Sequence, residues 1–352
     1  MRVAMLAPPW FPVPPPAYGG TEAVVSLLTE GLVERGVDVT LFATGDSRTR
    51  ANLECVYQDA PSEKIGDLST EMDHVLACLG RAADFDLVHD HSGLLAVTLA
   101  ASVETPFVHT AHGPFDGHLR DLYAKAMAFN PRAALISLTD AQRRPAPELP
   151  WIACCPNAID VARFPLRDGH DGYLAFLGRM SPEKGAHNAI EVARASGCDL
   201  LIAAKCREPA ERAYFDAFVR PNLGNGIEYV GELGHEDKAS LLRDARALLS
   251  PIEWEEPFGL VLIEAAACGT PVIAFRRGSV PEVVADGVTG FVVDTLPQMA
   301  AALERVDDLS ALAMREHVER CFSPSRMVRD YLRAYALVVG DAAAPVALSS
   351  RR

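Results

Sequence analysis

Arg2-Val3-Ala4-Met5-Leu6-Ala7 is a short apolar run, and residues 8–20 after it form a loop rich in proline and glycine. From Thr21 the apolar side chains fall at Ala23, Val24, Leu27, Leu28 and Leu32, the spacing of one helix face. Thr21 is placed to cap that helix. Gly31-Leu32-Val33-Glu34-Arg35-Gly36 closes it, and residues 37–43 are apolar again. Strand, loop, helix and strand in this order predict a right-handed crossover and a parallel sheet.

The rhythm continues through apolar runs at residues 87–89, 106–110 and 133–138. Residues 145–165 are rich in proline, contain Pro156-Asn157-Ala158-Ile159-Asp160 and read as a connection between domains. A second alternation follows. Strands are expected at 173–177, 199–204, 227–230, 247–249, 271–274 and 290–293. Helices are expected at 186–195, 238–245, 260–268, 299–306 and 326–339. The tail from Ala342 is small and polar and reads as frayed. The expected fold is therefore α/β, with two doubly wound Rossmann-like domains facing across a cleft. Residues 1–155 form the first, 156–170 the linker and 171–324 the second; a helix near 325–340 is placed to pack back on the first. Such sheets bind ligands at the C-terminal ends of their strands, so the cleft lies between the two.

Composition narrows the partners. The 352 residues are 49% hydrophobic and 23% charged, with a net charge of −14. Up to Pro165 there are 12 basic and 20 acidic residues, and after it 21 and 27, so both halves are acidic. That excludes a nucleic-acid groove and tight docking on anionic lipid. Eight cysteines occur without a C-x-x-C pair, which fits a reducing cytoplasm. The N-terminal apolar run is too short for a signal peptide, and no transmembrane segment is expected.

Five motifs carry chemistry. Glu256-Pro257-Phe258-Gly259-Leu260-Val261-Leu262-Ile263-Glu264 sets two carboxylates eight residues apart around a helix start. Free N–H groups there suit an anion. Glu264 is expected about two turns into an otherwise apolar helix, where a carboxylate needs a partner such as a ligand hydroxyl. The alternative is a surface glutamate. Gly178-Arg179-Met180-Ser181-Pro182-Glu183-Lys184-Gly185 follows a strand and brings two cations to the cleft mouth, as a diphosphate requires. It is not a Walker motif, and a solvated loop is the alternative. Tyr18-Gly19-Gly20-Thr21 can offer amides to a phosphate or simply turn the chain. His89, His91, His109 and His112 crowd two strand ends, where they either line the cleft or hold a metal. Asp84-Phe85-Asp86 spells a D-x-D, but it precedes its strand and so lies at the wrong edge.

Taken together, these segments resemble a family 4 retaining glycosyltransferase of the two-Rossmann (GT-B) type. Asp86-Leu87-Val88-His89-Asp90-His91, Thr110-Ala111-His112-Gly113 and Ala267-Cys268-Gly269-Thr270-Pro271-Val272 belong to the same pattern. The proline-rich run before Tyr18 is similar to antibiotic-pathway and exopolysaccharide members. The resemblance implies that Arg179 and Lys184 bind the diphosphate of a nucleotide sugar, a UDP- or GDP-sugar. It implies that Glu264 takes the ribose hydroxyls, Glu256 the donor sugar, and the amides at Phe258, Gly259 and Leu260 the sugar and phosphate. His112 would lie by the reacting carbon, Gly19 and Gly20 by phosphate and acceptor, and Leu233 near the base. Ala158 stands where the family's linker commonly has glycine. No cofactor or metal is implied, and the acceptor would be a hydroxyl of a saccharide or lipid-linked glycan. Same-face attack is the family's expected route to retention. A nucleotide-sugar epimerase, a hydrolase and a non-catalytic nucleotide-sugar-binding protein are the rival readings. A dehydrogenase is disfavoured by the missing dinucleotide fingerprint.

Overall fold

The computed structural model describes residues 1–340, so the tail expected to fray from Ala342 lies outside the described residues. Seven strands form the first sheet: β1 Arg2–Leu6, β2 Asp38–Phe42, β3 Asn52–Glu54, β4 Leu87–Asp90, β5 Phe107–Thr110, β6 Ala133–Ser137 and β7 Trp151–Cys154. Their order is β3-β2-β1-β4-β5-β6-β7. Six form the second: β8 Leu174–Arg179, β9 Leu200–Lys205, β10 Ile227–Gly231, β11 Ala247–Ser250, β12 Val272–Phe275 and β13 Gly290–Val293, in the order β10-β9-β8-β11-β12-β13. Every pairing between these strands is parallel.

Central strands are apolar throughout because both faces are covered. In β1, Val3 and Met5 pack on one face of the sheet while Ala4 and Leu6 pack on the other. In β8, Leu174 and Phe176 face one core and Ala175 the opposite one. Strand order reverses at β1/β4 in the first sheet and at β8/β11 in the second. At each reversal the loops leaving adjacent strands diverge and open a crevice. One crevice is bounded by the loop after β1 and the segment after β4, the other by the loops after β8 and β11.

The structure differs from the sequence expectation in several places; helices Leu68–Leu79, Gly117–Phe129 and Ala311–Cys321 were not expected. The first helix, Gly20–Glu34, has Gly19 rather than Thr21 at its cap, so no cap side chain bonds its first turn. A glycine there leaves the first amides uncovered toward the cleft. Two strands escaped the apolar pattern. Edge strand β3 is half exposed, and β7 lies inside the proline-rich stretch read as a connection. The helix expected at 299–306 runs Leu296–Ala302 and tightens into a 3₁₀ turn over Leu303–Asp308.

The last helix, Pro324–Val339, follows the second sheet in sequence but packs on the first. Met327, Val328, Tyr331, Ala334 and Tyr335 are buried with Val24, Leu28 and Leu32. Contact is close at Gly31, where an added Cβ would lie 2.5 Å from Val328 Cγ2. Among the described residues no helix is long and apolar enough to cross a membrane. Alanine normally improves a helix over glycine by about 1 kcal/mol. Gly31→Ala is nevertheless expected to lose about 1–2 kcal/mol through overpacking against Val328. A urea titration that shows a gain would contradict this packing.

Candidate active site

A cavity of about 330 Å³ lies between the two sheets, at the C-terminal ends of their strands. Gly19, Gly20, His112, Arg179, Lys184, Leu233, Glu256, Phe258, Gly259, Leu260 and Glu264 all line it. They come from five loops of two domains, so topology rather than sequence proximity assembles them. The glycine loop closes tightly on the second domain: a Cβ at Gly20 would lie 3.3 Å from Leu260 Cδ1.

The helix Leu260–Cys268 starts in the cavity wall and is capped by Gly259 at φ 82°. A side chain at Gly259 would be strained and would meet Leu262 Cδ1 at 2.9 Å. Leu262 N donates to Gly259 O at 3.1 Å, and the amides of Leu260 and Val261 before it have no partner inside the helix and carry its positive end. Arg179, the last residue of β8, donates to Glu183 at 3.1 Å. Lys184 is ion-paired with Glu256, and its ammonium lies 4.6 Å from the centre of the Trp254 ring. Trp254 Nε1 donates to the same carboxylate at 2.7 Å. Glu256 is thus held from two sides.

Glu264 is only 6% exposed. It is the fifth residue of its helix, just over one turn in rather than two. Lys238 Nζ donates to its Oε1 at 2.5 Å, while Oε2 is buried with no partner. An orphaned buried acceptor costs about 1–3 kcal/mol, a cost that a ligand hydroxyl would remove. Asn157 likewise lines the cavity with Oδ1 buried and unpartnered. A lone amide oxygen accepts from a hydroxyl and repels a phosphate.

The four histidines divide. His109 bonds Asp90 at 2.6 Å and Tyr123 at 2.9 Å. His89 bonds the Tyr335 hydroxyl at 2.7 Å and Thr110 at 2.8 Å. Both are buried and make no cavity wall. His91 Nδ1 lies 2.8 Å from His112 Nε2, and only His112 reaches the cavity. Desolvation, reinforced by nearby His109, pushes the His112 imidazole down to about 3. Burial also holds His89 and His91 well below the usual histidine range. A neutral pair sharing one hydrogen bond has one donor and one acceptor, so His91 sets the tautomer of His112. Among the described residues no three histidine, cysteine or carboxylate side chains are grouped to hold a metal ion. Asp86 instead receives two bonds from Arg2 at the far edge of the first sheet, at 2.8 and 2.7 Å.

Sequence reading missed three contributors to the wall. Lys205 ends β9 beside Arg179, and is held by Glu208 and Glu211. Lys238 supports Glu264, and Trp254 supports Glu256. Only Lys205 carried a signal, as a charged residue ending an apolar strand.

Two family descriptions cover most of the chain: "Glycosyltransferase Family 4" over residues 18–163 and "Glycosyl transferases group 1" over residues 160–321. A glycogen synthase of Mycobacterium tuberculosis is 30% identical over 262 residues, which span 65% of this chain and 62% of the synthase. The match therefore covers less than two thirds of that relative's length. A phosphatidyl-myo-inositol mannosyltransferase of Mycolicibacterium smegmatis is 29% identical over 86% of this chain and 84% of its own. The crystal structure of AviGT4, a glycosyltransferase involved in avilamycin A biosynthesis, superposes with a TM-score of 0.71 at 27% identity, covering 96% of this chain and 98% of that one. The chain belongs to the family 4 glycosyltransferases and has their GT-B fold.

The buried histidines predict an acid weakness. His74, His89, His91 and His112 all bind protons less readily folded than unfolded. They cost nothing above about pH 6.5 and destabilise the fold as pH falls below it, each by up to about 1.4 kcal/mol per unit. Glu22, pushed up to about 7 by burial, acts in the opposite sense between pH 7 and its usual value. Glu71, raised by burial and by Asp90, acts in the same sense as Glu22, and four imidazoles outweigh two carboxyls. The urea midpoint should fall between pH 7 and pH 5, and His89→Gln should make that slope shallower. A midpoint that stays level in the parent protein would mean these imidazoles are not buried neutral.

Proposed function

We propose that the protein moves a sugar from a nucleoside-diphosphate sugar, a UDP- or GDP-sugar, to a hydroxyl acceptor with retention and without a metal. One observation carries this reading: Arg179, Lys184 and the start of helix Leu260–Cys268 converge on one cavity. Departure of the nucleoside diphosphate places negative charge on its phosphates. Two cations and a helix N-terminus stabilise that charge with groups already in position. Lysine has three donors, so Lys184 can keep Glu256 and still reach a phosphate oxygen.

The remaining roles follow from chemistry. Glu264 Oε2 takes a ribose hydroxyl, since it is the acceptor left without a donor. Glu256 and His112 border the donor sugar, Leu233 the base, and Gly19 and Gly20 the phosphates. The amides at Phe258, Gly259 and Leu260 serve sugar and phosphate. A double displacement needs a free carboxylate beside the anomeric carbon. The carboxylates lining the cavity, Glu232, Glu256 and Glu264, are each paired with Arg207, Lys184 and Lys238. That pairing supports same-face attack, with a departing phosphate oxygen taking the acceptor proton. The names of the relatives, a synthase of glycogen and a mannosyltransferase, support a hexose as the group moved. A saccharide or lipid-linked glycan is the proposed acceptor. All eight cysteines are free thiols, which supports a cytoplasmic setting.

Lys184→Ala and Glu264→Ala are each expected to lower kcat/KM about 100- to 1000-fold while the fold persists, as loss of one good transition-state donor does elsewhere. Product formation from labelled nucleotide sugar measures this, with circular dichroism as the folding control. Near-parental turnover in both variants would overturn the assignment. Transfer should also survive excess chelator. Activity lost to chelation and restored by zinc would return the histidine cluster to consideration.

A further inference from the structure

A second cavity of about 350 Å³ adjoins the first across Glu256, which lines both. Its first-domain wall starts at Pro114, two residues after His112 of the donor cavity, and continues through Asp116 and Asp121. The opposite wall comes from Glu255 and Glu256 in the loop after β11. Its volume is that of a small-molecule site.

The wall is built rather than incidental. Gln142, 5% exposed, donates both amide N–H groups to the carbonyls of Ala111 and Gly113 at 2.8 Å and accepts from the Leu138 amide at 2.7 Å. It pins the segment that carries His112 from one cavity into the other.

Charge then selects the occupant. Asp116, Asp121 and Glu255 line the cavity and have no cationic partner among the described residues. Arg120 is the one cation in the lining, and Glu148 holds it through two bonds of 2.8 and 3.0 Å. Three carboxylates within roughly a Debye length of a bound molecule accept from hydroxyls or an ammonium and repel an anion.

We infer that this cavity is the acceptor subsite and that it selects a polyol bearing no negative charge, neutral or amino-substituted, over a phosphorylated one. The inference rests on the transferase reading above. In the transfer the acceptor oxygen bonds to the anomeric carbon as that carbon's bond to the diphosphate oxygen breaks. The bonding pair leaves with the diphosphate, and the acceptor proton goes to a departing phosphate oxygen.

The test uses the full chain and a nucleotide sugar chosen by its ability to raise the melting temperature. Release of nucleoside diphosphate is measured with methyl α-glucoside, glucosamine and glucose 6-phosphate as acceptor probes. Expected is a kcat/KM for the phosphorylated probe at least about tenfold below the other two. In the variant carrying Asp116→Asn, Asp121→Asn and Glu255→Gln that ratio should narrow severalfold, and 0.5 M salt should narrow it in the parent. A phosphorylated probe used as well as the neutral one, or a ratio unmoved by the substitutions, overturns the inference. So does silence on all three probes in a protein that the donor stabilises. If no nucleotide sugar raises the melting temperature, the donor reading itself fails, and this one with it.

Discussion

The ion pair between Lys184 and Glu256 ties together the two loops that leave the second sheet in opposite directions at its strand reversal. It acts together with a backbone bond between the same loops, from Glu253 N to Glu183 O at 2.8 Å. With it, one loop's cation and the other's carboxylate fix a common wall, and Trp254 packs over the cation and bonds the carboxylate. The pair is partly exposed, so its worth lies in geometry more than in stability. The loop after β12 is tied in as well, since Gly278 N donates to the Glu255 carboxylate at 2.8 Å.

A second set of bonds joins the chain's end to its beginning. Tyr335 and Tyr331, on the last helix, reach His89 and Thr110 under the first sheet's strand ends. His89 lies 4.1 Å from His91, centre to centre, with the rings tilted by 47°, and His91 bonds His112. The imidazole facing the cavity is therefore seated on a buried polar column whose far end belongs to the C-terminal helix. Such networks are demanding, because each member must be satisfied in a medium that penalises an orphan. The uncompensated atoms in this region, His91 Nε2 and Ser137 Oγ, are few.

Much of this was legible in the sequence, for identifiable reasons. Parallel strands buried on both faces announce themselves as apolar runs, so β1, β4, β6, β8 and β12 could be read directly. Strands β3 and β7 could not: one is a half-exposed edge, the other is embedded among prolines. Glycines marked where backbone meets the cleft, and Arg179, Lys184, Glu256 and Glu264 were legible because charge at the end of an apolar element needs a reason. Their partners were not. Lys238 sits on an ordinary charged helix, and nothing local says that its ammonium turns toward Glu264. Trp254 looks like any aromatic in a loop. Thr21 misled because a threonine before a helix is a good cap in general, yet here the cap is a glycine, which has no side chain to bond the first amides. Such misses are tertiary, created by which loop the fold sets opposite which.

The two adjoining cavities also differ in how their charges are paired, in a way that suits the chemistry proposed. Every cation facing the donor cavity is held by a carboxylate: Arg179 by Glu183, Lys184 by Glu256, Lys205 by Glu211 and Lys238 by Glu264. The cavity beyond Glu256 has carboxylates with no such balance. In glycosyl transfer the leaving group becomes more negative while the sugar becomes more positive. If the transfer runs as proposed, a boundary at Glu256, with carboxylate-paired cations on one side and unpaired carboxylates on the other, is polarised along that charge separation before substrate arrives. Preorganised polarity of this kind needs no reorganisation at the moment of reaction. Glu256, held from two sides, is the side chain shared by both cavities.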